Sequence, residues 1–268
     1  MEIRYTAGHS NQGIEGMQDE ELLRYSRQIM LPEMDIAGQQ KLLDATVLIV
    51  GMGGLGCPAA LYLAAAGIGH LIIVDDDTVE ITNLQRQIAH GQSDIGSPKV
   101  DSARQTLLEL NPHVRVTALK ERLSAERMAE LLPGVTVALD ACDNFNTRFA
   151  LNQACVDARV PLVSGAAIRL EGQVAVFDSR RDDSPCYQCL YRIGDDEQTN
   201  CATNGVMAPV VGIIGAVQAM EAIKLIADVG EPLTGRLLLL DARSLKWREL
   251  RLPRDPHCPA CGGSRADA

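Results

Sequence analysis

Short apolar runs recur along this chain at the spacing of strands separated by helices, and that alternation restricts its fold more than any other feature. "TVLIV" (46–50), "HLIIVD" (70–75), "VTVALDA" (135–141) and "VPLVSGA" (160–166) are apolar on both alternating faces. Strands of this kind must be covered on both sides, as in a parallel sheet flanked by helices. Between them, "LGCPAALYLAAAG" (55–67), "SPKVDSARQTLLELN" (97–111) and "NFNTRFALNQACVDA" (144–158) read as helices. Gly67 stops the first, and Ser97 is expected to cap the second with Pro98 at its first position. The expected class is α/β, with a Rossmann-like, mostly parallel sheet. After Gly165 the pattern changes. "GQVAVFD" and "GRLLLLDARSLKWRELRL" read as hairpin strands that continue the sheet in antiparallel fashion around one long helix.

The glycines of "VLIVGMGGLG", at 51, 53 and 56, follow the first of these strands and open a helix. In such a loop the backbone approaches a phosphate closely, and the amides at the helix start point at the anion. An acid at the end of the second strand then takes the ribose hydroxyls, and Asp75 stands there. This much suits NAD, FAD and ATP alike. Asn83, Arg86 and Lys99 follow in "DTVEITNLQRQ" and "GSPKV", and cations converging on a glycine loop suit a triphosphate. Taken singly, Arg86 and Lys99 read equally as solvated surface residues. Asp76, the middle acid of three, is expected to face away from its neighbours and to have no role.

Composition narrows the partners. A formal charge of −10 and a pI near 5.0 argue against nucleic acid and against an anionic membrane surface. The N-terminus has no apolar run after a basic start, so no secretory signal is expected and the location is read as cytoplasmic. "VMAPVVGIIGAVQAMEAIKLIA" (206–227) is long and apolar, but Pro209, Glu221 and Lys224 make it a buried core helix rather than a membrane span. Residues 1–16 read as a flexible tail, with Met17 an alternative start. Residues 17–268 read as a single domain that opens on an amphipathic helix over "DEELLRYSRQIML" (19–31).

Of eight cysteines, four form two C-x-x-C pairs, Cys186 with Cys189 and Cys258 with Cys261. Two knuckles of this spacing make a closed four-thiolate Zn²⁺ site, which is structural because no position stays open. Disulfides suit a reducing compartment poorly, and a redox C-x-x-C does not come as a matched pair. His257 adjoins the second knuckle as a bystander. Cys57, Cys142 and Cys155 read as small buried hydrophobes.

"RYSRQ" (24–28), "GMGGLG", "DTVEITNLQRQ", "GSPKV", "DACDN" (140–144), "SGAAIRLEGQV" (164–174), "CYQC" and "CPAC" occur in this order. Together they resemble the bacterial ubiquitin-activating-type adenylyltransferases that activate the sulfur carriers of molybdopterin and thiamine synthesis. The resemblance runs from about residue 18 to 262. It implies an enzyme that binds ATP and the Gly-Gly tail of a ubiquitin-like sulfur-carrier protein, and that forms an acyl adenylate and pyrophosphate. It places Gly51, Gly53, Gly54 and Gly56 on the phosphate loop, Asp75 on the ribose, and Asn83, Arg86 and Lys99 on phosphates. Asp143 is implied to hold Mg²⁺, with Asn144 beside the nucleotide. The bland alternative for Asp143 is a helix cap. Arg27 resembles an arginine that reaches into the partner subunit's ATP site, so a homodimer is implied; its alternative is a helix-surface arginine. Cys201 lies on a loop that crosses the substrate tail and is either a nucleophile toward the acyl adenylate or an inert thiol. With no sulfurtransferase segment after the second knuckle, sulfur is expected from a separate sulfurtransferase.

Overall fold

The computed structural model describes residues 17–192 and 205–262. Eight strands form one sheet in the order β3-β2-β1-β4-β5-β6-β7-β8. The first five positions are parallel: β1 Thr46–Val50, β2 His70–Val74, β3 Arg115–Leu119, β4 Val137–Asp140 and β5 Leu162–Ile168. β6 Glu171–Phe177, β7 Arg236–Asp241 and β8 Lys246–Arg251 follow antiparallel. The α/β class, the parallel core and the antiparallel continuation are those expected from the apolar pattern.

The helices are α1 Asp19–Arg24, α2 Ser26–Ile29, α3 Asp35–Asp44, α4 Gly56–Ala66, α5 Lys99–Leu110, α6 Ala125–Leu131, α7 Phe145–Ala158, α8 Tyr187–Leu190 and α9 Ala208–Ala227. Alternation along β1 divides the core in two. Val47 and Ile49 pack with Leu63, Leu107 and Ile214 on one face, while Leu48 and Val50 pack with Met128, Phe149 and Leu151 on the other.

Three local expectations change. The helix expected over 19–31 breaks at Tyr25, which is buried and accepts a 2.9 Å hydrogen bond from Asn111 Nδ2. Gly67 leaves that ring its space, since a Cβ there would lie 2.6 Å from Tyr25 Cζ. The cap of α5 is one residue later than expected: Pro98 is the N-cap, its side chain caps nothing, and Lys99 starts the helix. Residues 35–44 are helical although nothing in "DIAGQQKLLD" announces it. The apolar segment ahead of Asp228 is a core helix, as expected. α9 has a mean hydropathy of 1.8, and 61% of its 18-residue window is buried. Buried Glu221 accepts from Leu233 N–H at 2.7 Å and pairs with Lys224, so its charge is satisfied inside the protein.

Candidate functional site

The strand order reverses between β1 and β4, and ligands of open parallel sheets bind in the crevice beyond the strand ends at such a point. The glycine loop, Asp75 and the turn carrying Asp143 all lie at these ends.

The four loop glycines do different work. Gly51 has φ +100°, and a Cβ there would lie 2.6 Å from Ala141 O; a Cβ at Gly56 would lie 1.8 Å from Gly51 O. These two let the turn fold against itself and against the end of β4. Gly54 faces Val211 of α9, whose Cγ2 would be 3.0 Å from a Cβ. Only at Gly53 is there room, with Gln87 Nε2 the nearest atom at 3.6 Å. The open approach to the loop is therefore over Gly53.

Asp75 directly follows β2 and turns onto the loop. Its Oδ2 accepts from Met52 N–H at 2.7 Å and its Oδ1 from Asp77 N–H at 2.9 Å. Burial raises its pKa, against the lowering effect of Lys99 and the two amides. Asp76 is exposed, but so is Asp77, because both lie beyond the end of β2 where strand alternation no longer applies. Lys99 is 6% exposed, and its Nζ lies 2.8 Å from Asp77 Oδ2. The surface-lysine alternative is thereby removed. Asn83 is buried at the end of a single 3₁₀ turn, with its Oδ1 accepting from Glu80 N–H at 3.0 Å. Arg86 is half-buried and donates to Thr82 O at 3.0 Å.

The cap of α7 is Asn144, whose Oδ1 accepts from Thr147 N–H at 2.9 Å. Asp143 is thus not the cap; its side chain is exposed at the edge of a cavity of about 340 Å³. Phe145, Arg148, Gln173, Tyr187 and Tyr191 also line this cavity. Arg27 is not brought to the loop. It is exposed on α2 beside a shallow hollow lined by Tyr62 of α4 and by Met220 and Ile223 of α9. Cys201 lies outside the described residues, and so does the tail of residues 1–16.

The four knuckle cysteines converge, with all four sulfurs within 4.8 Å of one another. Cys186 Sγ is 3.6 Å from Cys258 Sγ, and Cys189 Sγ is 3.5 Å from Cys261 Sγ. Cys186 N–H and Asp255 N–H each reach Cys189 Sγ at 3.4 Å. The side chain of His257 is 93% exposed, in keeping with a bystander. Cys57, Cys142 and Cys155 are buried, and burial pushes the thiol of Cys57 up to about 12 and raises the other two as well.

Several site residues escape the sequence. Arg148 lies under the turn after β4, donating to Cys142 O at 2.6 Å and to Gly165 O at 3.1 Å, with Asp140 Oδ2 at 3.6 Å. Gln218 of α9 donates to Asp140 O at 2.7 Å. Gln87 is buried and its Oε1 has no partner among the described residues. A basic residue one turn into α7 was the only available signal for Arg148. Nothing in the sequence pairs positions 140 and 218.

The model of the ThiF family matches residues 25–260. The chain is 49% identical over 246 residues to a molybdopterin-synthase adenylyltransferase of Salmonella typhimurium, covering 92% of this chain and 98% of that one. It is 47% identical over 251 residues to the sulfur carrier protein ThiS adenylyltransferase of Escherichia coli, covering 94% and 99%. Among solved structures, that of E. coli MccB with ATP superposes with a TM-score of 0.78 at 26% identity, covering 89% of this chain and 74% of that one. Matching fold, ordered motifs and near-full-length identity agree: this chain belongs to the ThiF family.

Proposed function

We propose that this protein adenylylates the C-terminal glycine carboxylate of a small ubiquitin-like sulfur-carrier protein, in the cytoplasm, for molybdenum cofactor synthesis. The observation that carries this reading is the glycine loop closed on Asp75 at the strand-order reversal, in a chain that matches an adenylyltransferase at 49% over 92% of its own length and 98% of the other's. The 47% match to a ThiS adenylyltransferase supports a second reading, the same reaction on a thiamine-type carrier.

In the proposed reaction a carboxylate oxygen of the carrier attacks the α-phosphorus of ATP. The new P–O bond gives the acyl adenylate, and the bond to the β-phosphate oxygen breaks to release pyrophosphate. A carboxylate is nucleophilic without a base, so the site works by alignment and charge stabilisation. Gly53 offers the phosphates a close backbone approach, Gly51, Gly54 and Gly56 shape the loop, and Asp75 accepts from the ribose hydroxyls. Asn83, Arg86 and Lys99 take the phosphates, with Lys99 exchanging Asp77 for an anion of higher charge. Asn144 holds the turn that presents Asp143, and the cavity beside Asp143 has room for the carrier's terminal residues.

Asp143 is an exposed carboxylate with no partner among the described residues, which suits a hard cation that takes one or two carboxylates and substrate phosphates. Mg²⁺ held there would neutralise charge on the leaving pyrophosphate. The four knuckle sulfurs suit Zn²⁺. Tetrahedral Zn–S bonds of about 2.3 Å require sulfurs roughly 3.8 Å apart, close to the 3.5 and 3.6 Å separations here. Zinc in that site would join the start of α8 to the C-terminal segment. Arg27 and the apolar hollow beside it support a homodimer in which each Arg27 reaches the partner's ATP. Sulfur transfer would then fall to a separate sulfurtransferase.

ATP–pyrophosphate exchange tests the reading, with molybdopterin-type and thiamine-type carriers bearing a free Gly-Gly end in separate arms. Exchange with one carrier, abolished by Asp143→Ala, is the expected result and names the pathway. No exchange with either carrier removes the proposal.

A further inference from the structure

Behind the glycine loop sits a histidine that none of the proposed ATP contacts includes. His90 is buried between the loop and α5. Its Nε2 lies 3.1 Å from the Met52 carbonyl oxygen and its Nδ1 lies 2.9 Å from Ser102 Oγ. Ser102 Oγ in turn is 2.9 Å from Asp94 Oδ2. The Met52 carbonyl also receives the Cys57 thiol at 3.3 Å, and Met52 N–H donates to Asp75 at 2.7 Å. One loop residue is thus held at both of its backbone polar groups, and its side chain is fully buried.

A carbonyl only accepts, so Nε2 must carry the proton that meets Met52 O. In the neutral ring, Nδ1 then accepts the one proton of the Ser102 hydroxyl, which turns to the ring from Asp94 Oδ2, while that oxygen keeps its 2.7 Å bond from Gly91 N–H. The next two residues along the chain are Gly53 and Gly54, and neither has a side chain to hold its peptide in place. The peptide that joins Met52 to Gly53 carries both the carbonyl that His90 grips and the Gly53 amide.

We propose that His90 is a positioning residue of the nucleotide site: by holding the Met52 carbonyl it directs the Gly53 amide outward and steadies Met52 N–H on Asp75. The proposal rests on the reading of this loop as the ATP site. It makes His90 matter for nucleotide affinity and leave carrier recognition and turnover at saturating ATP alone.

Two amide variants separate this role from simple core packing. A glutamine amide reaches the place of Nε2, so His90→Gln keeps a donor for Met52 O. An asparagine amide reaches only the place of Nδ1, so His90→Asn keeps Ser102 and loses Met52. ATP binding is measured by calorimetry without carrier, and exchange kinetics are measured with it. The expected result is ATP affinity about tenfold weaker in His90→Asn, the size of one net hydrogen bond, with turnover at saturating ATP and the KM for carrier within about twofold. His90→Gln should stay within about twofold of the parent on every measure. Should His90→Asn not fold, Ser102→Ala releases the ring from its other side and should weaken ATP binding about threefold with turnover kept. Parent-like ATP affinity in the folded asparagine variant, or equal losses in both amide variants, would overturn the proposal while leaving the ATP reading intact. A parent protein that binds no ATP overturns both.

Discussion

Four glycines that look equivalent as letters are not equivalent as atoms. Gly51 and Gly56 stand against backbone, Gly54 against Val211, and Gly53 against open space. That difference yields a clean pair of expectations. Gly56→Ala puts a methyl into Gly51 O, which cannot yield, so the protein should lose several kcal/mol of stability and melt far below the parent. Gly53→Ala meets nothing closer than 3.6 Å, so it should melt within about 2 °C of the parent. If phosphates pass over Gly53, ATP affinity in that folded variant should still fall at least tenfold, and unchanged affinity in calorimetry would move the phosphate path elsewhere. Lys99→Ala removes a charged donor and should cost about 10- to 100-fold in KM for ATP in the exchange assay. Asp75, Lys99 and the loop were legible in the sequence because strand, turn and helix are local. The division of labour among the glycines was not, because Ala141 and Val211 reach them from far along the chain.

At the scale of elements, the two cysteine knuckles were legible at once, and so was the helical run over 19–31, but its break at Tyr25 was not. A C-x-x-C spacing carries its own geometry, whereas α1 and α2 are separated by a tertiary anchor: Tyr25 is drawn inward to Asn111 and beneath Gly67. The start of α3 was equally hidden, since Asp35 adopts φ +49° and Gly38 sits against Met34 Sδ, neither of which is a helix signal. The knuckles themselves are 72 residues apart. With zinc bound, they tie the C-terminal segment to the start of α8, which packs on α7 through Tyr187 and Phe149. Metal analysis of the purified protein should find one zinc per chain, and chelation or Cys258→Ser should lower the melting temperature by roughly 10 °C or more. Unaltered melting after complete metal removal would make the four thiols ordinary core residues. His257→Ala, with its ring in solvent, should change neither zinc content nor melting.

Stability of the whole molecule should depend on pH through two imidazoles, buried His90 and half-buried His70. His90 and His70 both have their pKa lowered, chiefly by burial: for His90 the bond to the Met52 carbonyl opposes the shift, Lys99 adds to it and Asp94 and Asp75 oppose it, while Arg115 adds to it for His70. In the unfolded chain each titrates near 6.5. The unfolded state therefore binds more protons below that pH, and stability should fall as pH drops from about 6.5 toward the lowered folded values. Asp75, raised by burial, acts in the opposite sense only in the more acidic range. Urea melts from pH 7.5 to 5.5 should show the fall, and His90→Gln should flatten part of it; a parent curve that is level across this range would show these rings to be freely protonated in the fold.

The largest step from this chain to its proposed activity is the proposal that one site takes residues from two copies of it. Arg27 lies on α2 and contacts neither the loop nor Lys99, yet the hollow beside it exposes Tyr62 and Met220, apolar surface suited to burial against a second copy. If each Arg27 completes the partner's ATP site, Arg27→Ala and Lys99→Ala homodimers should both lose most of their activity at ATP well below the KM of either variant. Mixed, dissociated and reassociated, half of the dimers become hybrids, and each hybrid holds one site with its own Lys99 and the other subunit's Arg27. Activity should return to about one quarter of the parent's, a level that follows from a closed two-fold assembly. Recovery to that level would require sharing between subunits, because no arrangement that keeps both residues within one chain repairs either variant. Absence of recovery in dimers shown by light scattering to have exchanged would confine Arg27 to its own helix surface.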